Sequence, residues 1–406
     1  MSKKVLSLVS VLMVAVFVLA ACAPAAKPAQ EVTIQLWTKE GETDGGLQYV
    51  QSLTDAFTAA NPNVKFEVIN KEVETLREDF QTASLAGSAP DLLWTVSDHA
   101  GPFTTAELIM PVDDMFDMSK YVESVQLNGK TWAVPISSGN HLMLLYNKDL
   151  VPTPPRDTNE MIEVAKSITS GETYGLVFNQ TEPFWLVPWL GAFGGKVFAE
   201  DGVTPTLDTP EMVATLQFFY DLKYTHKVMP SEADYNIADT LFKEGKAGML
   251  INGDWSLADY KKVLGDKLGV APMPKVTATG LYPAPYTSGT YFMIPKDVAP
   301  EKMDAIKAFV EFATNLENQT TMVTTLSRLP GLVEALGIDA IASDPVLQGS
   351  AAQMANGTPM PTVLEMRCNW DSMKPEQIKV LSDQEKPEDA AAAMQTSAVA
   401  CIASLE

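Results

Sequence analysis

The sequence predicts an α/β protein of two lobes, each an open sheet covered by helices. Three observations predict it. Apolar residues alternate between a spacing of two and a spacing of three to four, strand-like runs are separated by helical ones, and the globular part is long. About 375 of the 406 residues follow the leader and tether described next, whereas a single hydrophobic core stops growing at roughly 250–300.

The first 21 residues read as a secretory signal peptide. Lys3 and Lys4 supply the positive end, residues 5–20 the apolar stretch, and Ala20 and Ala21 the small residues before Cys22. That apolar run is shorter than the ~20 residues of a membrane span and has no stop-transfer flank. Leu19-Ala20-Ala21-Cys22 resembles the lipobox of bacterial lipoproteins, which implies acylation of the Cys22 thiol. Residues 22–30 are small and proline-rich and suit a flexible tether, so the globular chain starts near Glu31. No later segment is long and apolar enough to cross a bilayer.

The globular part opens as strand, helix, strand. Val32, Ile34 and Leu36 repeat every second residue, Leu47, Val50, Leu53 and Phe57 every third or fourth, and Val64, Phe66 and Val68 every second again. Asn61-Pro62 ends the helix. A further helix carries Leu76, Phe80 and Leu85, and residues 92–96 form an apolar run suited to a strand covered on both faces. Strands separated by helices imply a parallel sheet.

Downstream, Thr209 caps a helix that begins with Pro210 and carries Val213, Leu216, Phe219 and Tyr220 as its buried stripe. Another helix covers residues 237–243 and stops at Gly245, after which residues 248–251 read as a strand. Pro300 opens a later helix with Ile306, Phe309, Val310 and Ala313 inside. Helices over residues 368–382 and 387–401 make an antiparallel hairpin that returns Cys368 and Cys401 to the same level. In an oxidising compartment these two form either a disulfide or a pair of buried thiols.

The formal charge is −22, and loss of Lys3 and Lys4 with the leader makes it −24. An acidic surface of this size argues against nucleic acid and anionic lipid as ligands. Only three histidines occur, His99, His141 and His226, none in a metal-binding spacing. Neither a phosphate loop, a G-x-G-x-x-G turn nor a G-x-S-x-G elbow is present, so no metal, cofactor or common hydrolase chemistry has a signature. A carboxylate pair for glycoside hydrolysis stays open, because its ~5–9.5 Å separation is spatial and 51 acidic residues are available.

Aromatic residues beside hydrogen-bonding groups stand out instead. Glu182-Pro183-Phe184-Trp185 follows a strand ending at Phe178, Asn252-Gly253-Asp254-Trp255 follows the strand ending at Ile251, and Asn369-Trp370-Asp371 opens a helix. Open α/β sheets bind ligands beyond the carboxyl ends of their strands, where two of these loops fall. A sugar ring offers an apolar face to a flat aromatic and an equator of hydroxyls to carboxylates and amides. Each tryptophan taken singly could equally fill a core.

At Ala89-Pro90-Asp91-Leu92-Leu93-Trp94, Asn128-Gly129-Lys130-Thr131-Trp132-Ala133-Val134-Pro135, Leu145-Tyr146-Asn147-Lys148-Asp149-Leu150 and Asp234-Tyr235-Asn236-Ile237-Ala238 the chain resembles the sugar-binding proteins of ATP-driven importers, extracellular solute-binding family 1, the maltose-binding-protein-like group. The resemblance implies a two-lobed periplasmic-binding-protein fold of type II, with the ligand in a cleft between the lobes and no catalytic residue. It implies crossovers near Ser138, Pro283 and Leu329, dividing the chain into a first lobe of residues 31–138 and 284–328 and a second of residues 139–283 and 329–406. It puts ligand contacts on Asp98 in the first lobe and on Glu182, Pro183, Phe184, Trp185, Trp255, Trp370 and Lys374 in the second. The first-strand loop, with Lys39, Glu40 and Glu42, is expected to reach the ligand as well.

The chain departs from the family in its first lobe, where Thr95 replaces a tryptophan, His99 an arginine, and Gly139 stands near the hinge glutamate. Trp94, one residue off on a strand, points to the opposite face and does not substitute. The implied ligand is therefore a neutral mono- to oligosaccharide, maltose-, maltodextrin- or trehalose-like. Implied partners are that sugar and the permease subunits of an ABC importer, for a monomer anchored through Cys22 outside the cell membrane. The alternatives are a binder of a non-sugar solute (peptide, polyamine or metal chelate) and a lipoprotein glycoside hydrolase using Glu182 and Asp98.

Overall fold

The computed structural model describes residues 31–42 and 45–405; the signal peptide, the tether and Cys22 lie outside the described residues. The chain opens with β1 (Val32–Thr38), β2 (Val64–Asn70) and β3 (Leu92–Val96), joined by the helices Gly46–Ala60 and Val73–Leu85. β1 pairs in parallel with β2, Ile34 opposite Phe66 and Leu36 opposite Val68, and with β3 on its other side. The first helix buries the expected stripe of Leu47, Val50, Leu53 and Phe57. The second buries Leu76 and Phe80, but Leu85 is 84 % exposed, contrary to expectation. Nine residues after Leu76 is about two and a half turns, which turns Leu85 to the opposite face.

A hairpin of β4 (Gln126–Leu127) and β5 (Lys130–Thr131), turned at Asn128-Gly129 with both φ positive, leads to β6 (Val134–Gly139). Residues 139–141 carry the chain into a second sheet of β7 (Leu142–Asn147), β8 (Tyr174–Phe178), β9 (Ala247–Gly253) and β10 (Leu268–Ala271), in the order β10-β7-β9-β8. The chain then returns to the first sheet through β11 (Tyr286–Met293) and, after the helices Pro300–Ala313 and Leu316–Leu326, β12 (Leu329–Pro330). The first sheet has the order β12-β6-β11-β3-β1-β2, with β13 (Thr358–Pro359) on the start of β11. The sheets are mixed rather than purely parallel. β11 runs antiparallel to β3 and β6, because a strand entering from the other lobe needs no helical crossover.

In the second lobe Thr209 caps the helix Pro210–Tyr220, its side chain accepting from the amide of Met212. Met212, Thr215, Leu216 and Phe219 are its buried residues, while Val213 and Tyr220 are only half-buried, one position away from the expected stripe. The helix Tyr235–Lys243, capped by Asp234, starts two residues before the expected Ile237. The helices Glu365–Leu381 and Pro387–Ala403 form the expected hairpin, joined by a disulfide between Cys368 and Cys401 whose Cα atoms are 5.6 Å apart. Among the described residues no helix is long and apolar enough to cross a membrane.

The passage at residues 139–141 is tightly built. Gly139 has φ +117°, and a Cβ there would stand 2.5 Å from Asp254 Oδ2 and 2.9 Å from His141 Nδ1. The amide of Asn140 donates to the same Asp254 oxygen at 3.1 Å. The link between lobes is thereby fastened to the turn that carries Trp255.

Candidate functional site

The carboxyl ends of β1 and β3 in the first sheet and of β8 and β9 in the second carry the residues of interest. β8 and β9 run in parallel, so Pro183–Trp185 after one and Asp254–Ser256 after the other emerge at the same edge. There the aromatic rings converge. Phe184 lies 5.9 Å from Trp185, 6.2 Å from Trp255 and 6.3 Å from Trp370 between ring centroids. Trp185 is also 6.1 Å from Trp255 and 6.2 Å from Tyr235, and Tyr286 closes the other end 6.0 Å from Trp370.

Two of the indole N–H groups are committed to the protein. Trp185 donates to the carbonyl of Ile251 at 2.8 Å and Trp255 to the hydroxyl of Tyr235 at 3.1 Å. Trp370 faces the Asp98 carboxylate of the other lobe and favours its charged form. What the rings have left to offer is their faces, which suit apolar C–H surfaces better than hydrogen-bonding edges. Trp370 stands in the helix Glu365–Leu381, which starts three residues before the expected Cys368. Phe184, Trp255 and Trp370 are half-buried, whereas Trp185 is 6 % exposed and Pro183 is buried, so these two back the cluster.

Polar groups flank the rings. Asp98 follows β3 in a short 3-10 turn; burial, reinforced by the charge of Glu74, pushes its carboxyl up to about 7. Glu182 and Lys374 pair at 2.5 Å beside Phe184, both substantially exposed. Thr95 and His99 lie deeper, 0 % and 1 % exposed, joined Oγ1 to Nδ1 at 2.8 Å. Burial pushes His99 down to about 4, and among the described residues its Nε2 has no hydrogen-bond partner.

In the first-strand loop Lys39 and Glu40 turn inward, whereas Glu42 is exposed. Glu40 is 1 % exposed, accepts from the Trp94 indole at 3.1 Å and pairs with Arg328 at 2.7 Å, while Lys39 lies 3.4 Å away. Burial pushes the Glu40 carboxyl up, but Arg328 and Lys39 outweigh it and hold it at about 2. Arg328, just before β12, also donates to the carbonyl of Trp255 at 3.3 Å and so touches both lobes. Trp94 is fully buried against Tyr49 and Phe292, on the face away from Thr95. Tyr235, Tyr286 and Arg328 were not among the residues singled out from sequence. Tyr235 stood inside a matched motif; Tyr286 and Arg328 carried no local signal.

Among the described residues no group of three or more His, Cys, Asp or Glu side chains is arranged to hold a metal ion.

Comparison with known proteins gives a consistent picture. The profile of the family described as bacterial extracellular solute-binding protein matches residues 52–349. The maltotriose-binding protein of Pyrococcus abyssi is 29 % identical over 349 residues, 83 % of this chain and 75 % of that protein. The maltooligosaccharide ABC transporter solute-binding lipoprotein of Streptococcus pneumoniae is 24 % identical over 323 residues, 75 % of each chain. Among solved structures, the maltose/maltodextrin-binding domain MalE from Bdellovibrio bacteriovorus bound to maltotriose superimposes with a TM-score of 0.88 at 34 % identity, covering 92 % of this chain and all of that one.

Proposed function

The chain belongs to the bacterial extracellular solute-binding proteins, and from that membership we propose that it is the receptor of an ABC importer, holding a neutral maltooligosaccharide between its lobes. The observation that carries the reading is the convergence of Phe184, Trp255, Trp370 and Tyr286, drawn from four separate stretches of chain, beside Asp98 of the other lobe. Pyranose faces stack on the rings, and hydroxyls bond to Asp98, Glu182 and Lys374. A ligand touching both lobes stabilises their closed arrangement by its differential affinity, and the permease recognises that arrangement.

No step of this reading requires bond cleavage. Cys22 carries a lipid that tethers the receptor outside the membrane, in keeping with the streptococcal relative's description as a lipoprotein. The protein acts as a monomer.

Titration of purified protein with glucose, maltose, maltotriose, trehalose and longer glucans, followed by tryptophan fluorescence and thermal melting, tests the reading. Maltotriose is expected to shift both. Silence across the whole set removes the proposal, and turnover of an aryl glycoside would replace it with a hydrolase using Glu182 and Asp98.

A further inference from the structure

The helix Glu365–Leu381 packs with the second lobe, yet its early turns touch the first lobe twice. Trp370 meets Asp98, and one turn earlier Arg367 reaches the helix Val73–Leu85. Its Nη1 lies 2.7 Å from Glu74 Oε2 and its Nη2 3.5 Å from Glu78 Oε1. Its Nε is held by Asp371 Oδ2, 2.7 Å away on its own helix. Arg77 approaches the same two glutamates at 3.1 and 3.0 Å, so charges alternate in sign across the gap. Burial pushes the Glu74 carboxyl up, but His99, Arg77 and Arg367 outweigh it and hold it below the usual range.

Two features separate this cluster from an ordinary surface pair. Asp371, four residues on, orients the guanidinium before the lobes meet, so less side-chain freedom is lost on closing. The contact also spans the cleft: parting the lobes separates Arg367 from Glu74 and Glu78 but leaves the Arg367–Asp371 and Arg77–Glu74 pairs intact. An interaction present in one of two states biases the equilibrium between them.

We propose that Arg367 is a positioning residue for ligand capture: through Glu74 and Glu78 it holds the lobes together and sets the affinity for a ligand it need not touch. The inference rests on the sugar-binding reading above. A neutral sugar brings no charge, so salt has no direct hold on its binding. The Arg367 and Glu74 side chains are 31 % and 52 % exposed, and added salt screens them. Affinity for an uncharged ligand therefore falls with ionic strength, through the protein alone.

The test is to titrate maltotriose into the wild-type protein, Arg367→Ala, Glu74→Gln and the double variant at about 20 mM and about 500 mM NaCl, reading tryptophan fluorescence. Wild-type affinity is expected to weaken about two- to fivefold at the higher salt. Arg367→Ala should be weaker by a similar factor at low salt and lose the salt dependence, with the double variant no weaker than the single. Salt-independent wild-type binding, an unaffected Arg367→Ala, or single effects that add in the double variant overturns the proposal. Should the wild-type protein bind no maltotriose, the sugar reading fails instead, and small-angle scattering of the ligand-free proteins decides on Arg367. Expansion of Arg367→Ala relative to wild type supports its role, and superimposable curves reject it.

Discussion

The indole N–H of Trp255 donates to the hydroxyl of Tyr235 at 3.1 Å, and that hydroxyl meets Ser256 Oγ at 2.7 Å. Behind them Asn252 Nδ2 donates to the Tyr260 hydroxyl and Tyr260 to Asp239, both at 2.8 Å. The plane of a ring at the cleft is thus set by a polar chain running into the second lobe. Tyr235→Phe keeps the ring packing and deletes the hydroxyl, leaving the buried side of Trp255 without its acceptor. We expect a loss of about 0.5–1.5 kcal/mol in urea unfolding and a maltotriose affinity weaker by about two- to tenfold. Unchanged affinity would mean that packing alone orients Trp255.

Trp255 and Trp185 touch each other but should fail differently when truncated. Trp255 is half-buried at the cleft, so Trp255→Ala should leave the fold standing while weakening maltotriose binding roughly tenfold or more. Trp185 is 6 % exposed and tied to Ile251, so Trp185→Ala should cost about 3–5 kcal/mol of stability. Denaturant melts and calorimetric titration of both variants separate the two outcomes. Equal stability losses would contradict the assignment.

Glu40→Gln removes the charged partner from a buried ion pair with Arg328, whose side chain is 3 % exposed. Breaking such a pair from one side costs about 3–5 kcal/mol, whereas replacing both partners by apolar groups costs less. Chemical denaturation should therefore show Glu40→Gln to be less stable than Glu40→Leu/Arg328→Met. The reverse order would show that the ion pair is not what this corner requires.

Two neighbours in one turn give stability opposite slopes with pH. Asp98 titrates at about 7 in the fold against about 3.9 unfolded, so between those values the fold holds the extra proton and stability falls as pH rises. His99 titrates at about 4 in the fold against about 6.5 unfolded, so the unfolded chain holds the extra proton there and stability rises with pH. Melting temperatures from pH 4 to 8 should accordingly rise more steeply with pH in Asp98→Asn than in the wild type. Parallel profiles would show that Asp98 titrates normally.

How much could be read beforehand depended on how far apart the interacting groups lie in the chain. Thr209 and Pro210 mark a helix start by contacts within a few residues, and that start is found. The stripe of Pro300–Ala313 is likewise as expected, since helical spacing alone decides it. Spacing also misled: Leu85 continued an apolar series but fell out of phase, and Val213 lost its place to Met212. Loop aromatics and strand ends pointed to Phe184, Trp255 and Trp370. Glu40 was expected at the ligand and is turned inward, because the groups that claim it, Trp94 and Arg328, are 54 and 288 residues away. Arg367 and Glu74, 293 residues apart, offer no local pattern that could have paired them.

The disulfide between Cys368 and Cys401 ties two helices that pack on each other within one lobe. Both sulfur atoms ride on the same half, Cys368 two residues from Trp370, and no covalent cross-link among the described residues bridges the halves. Covalent reinforcement is thus confined to one part of the molecule. Oxidation can harden the half that bears the stacking surface, while the passage at Gly139 is fastened by the Asn140 amide to Asp254 rather than by a covalent cross-link.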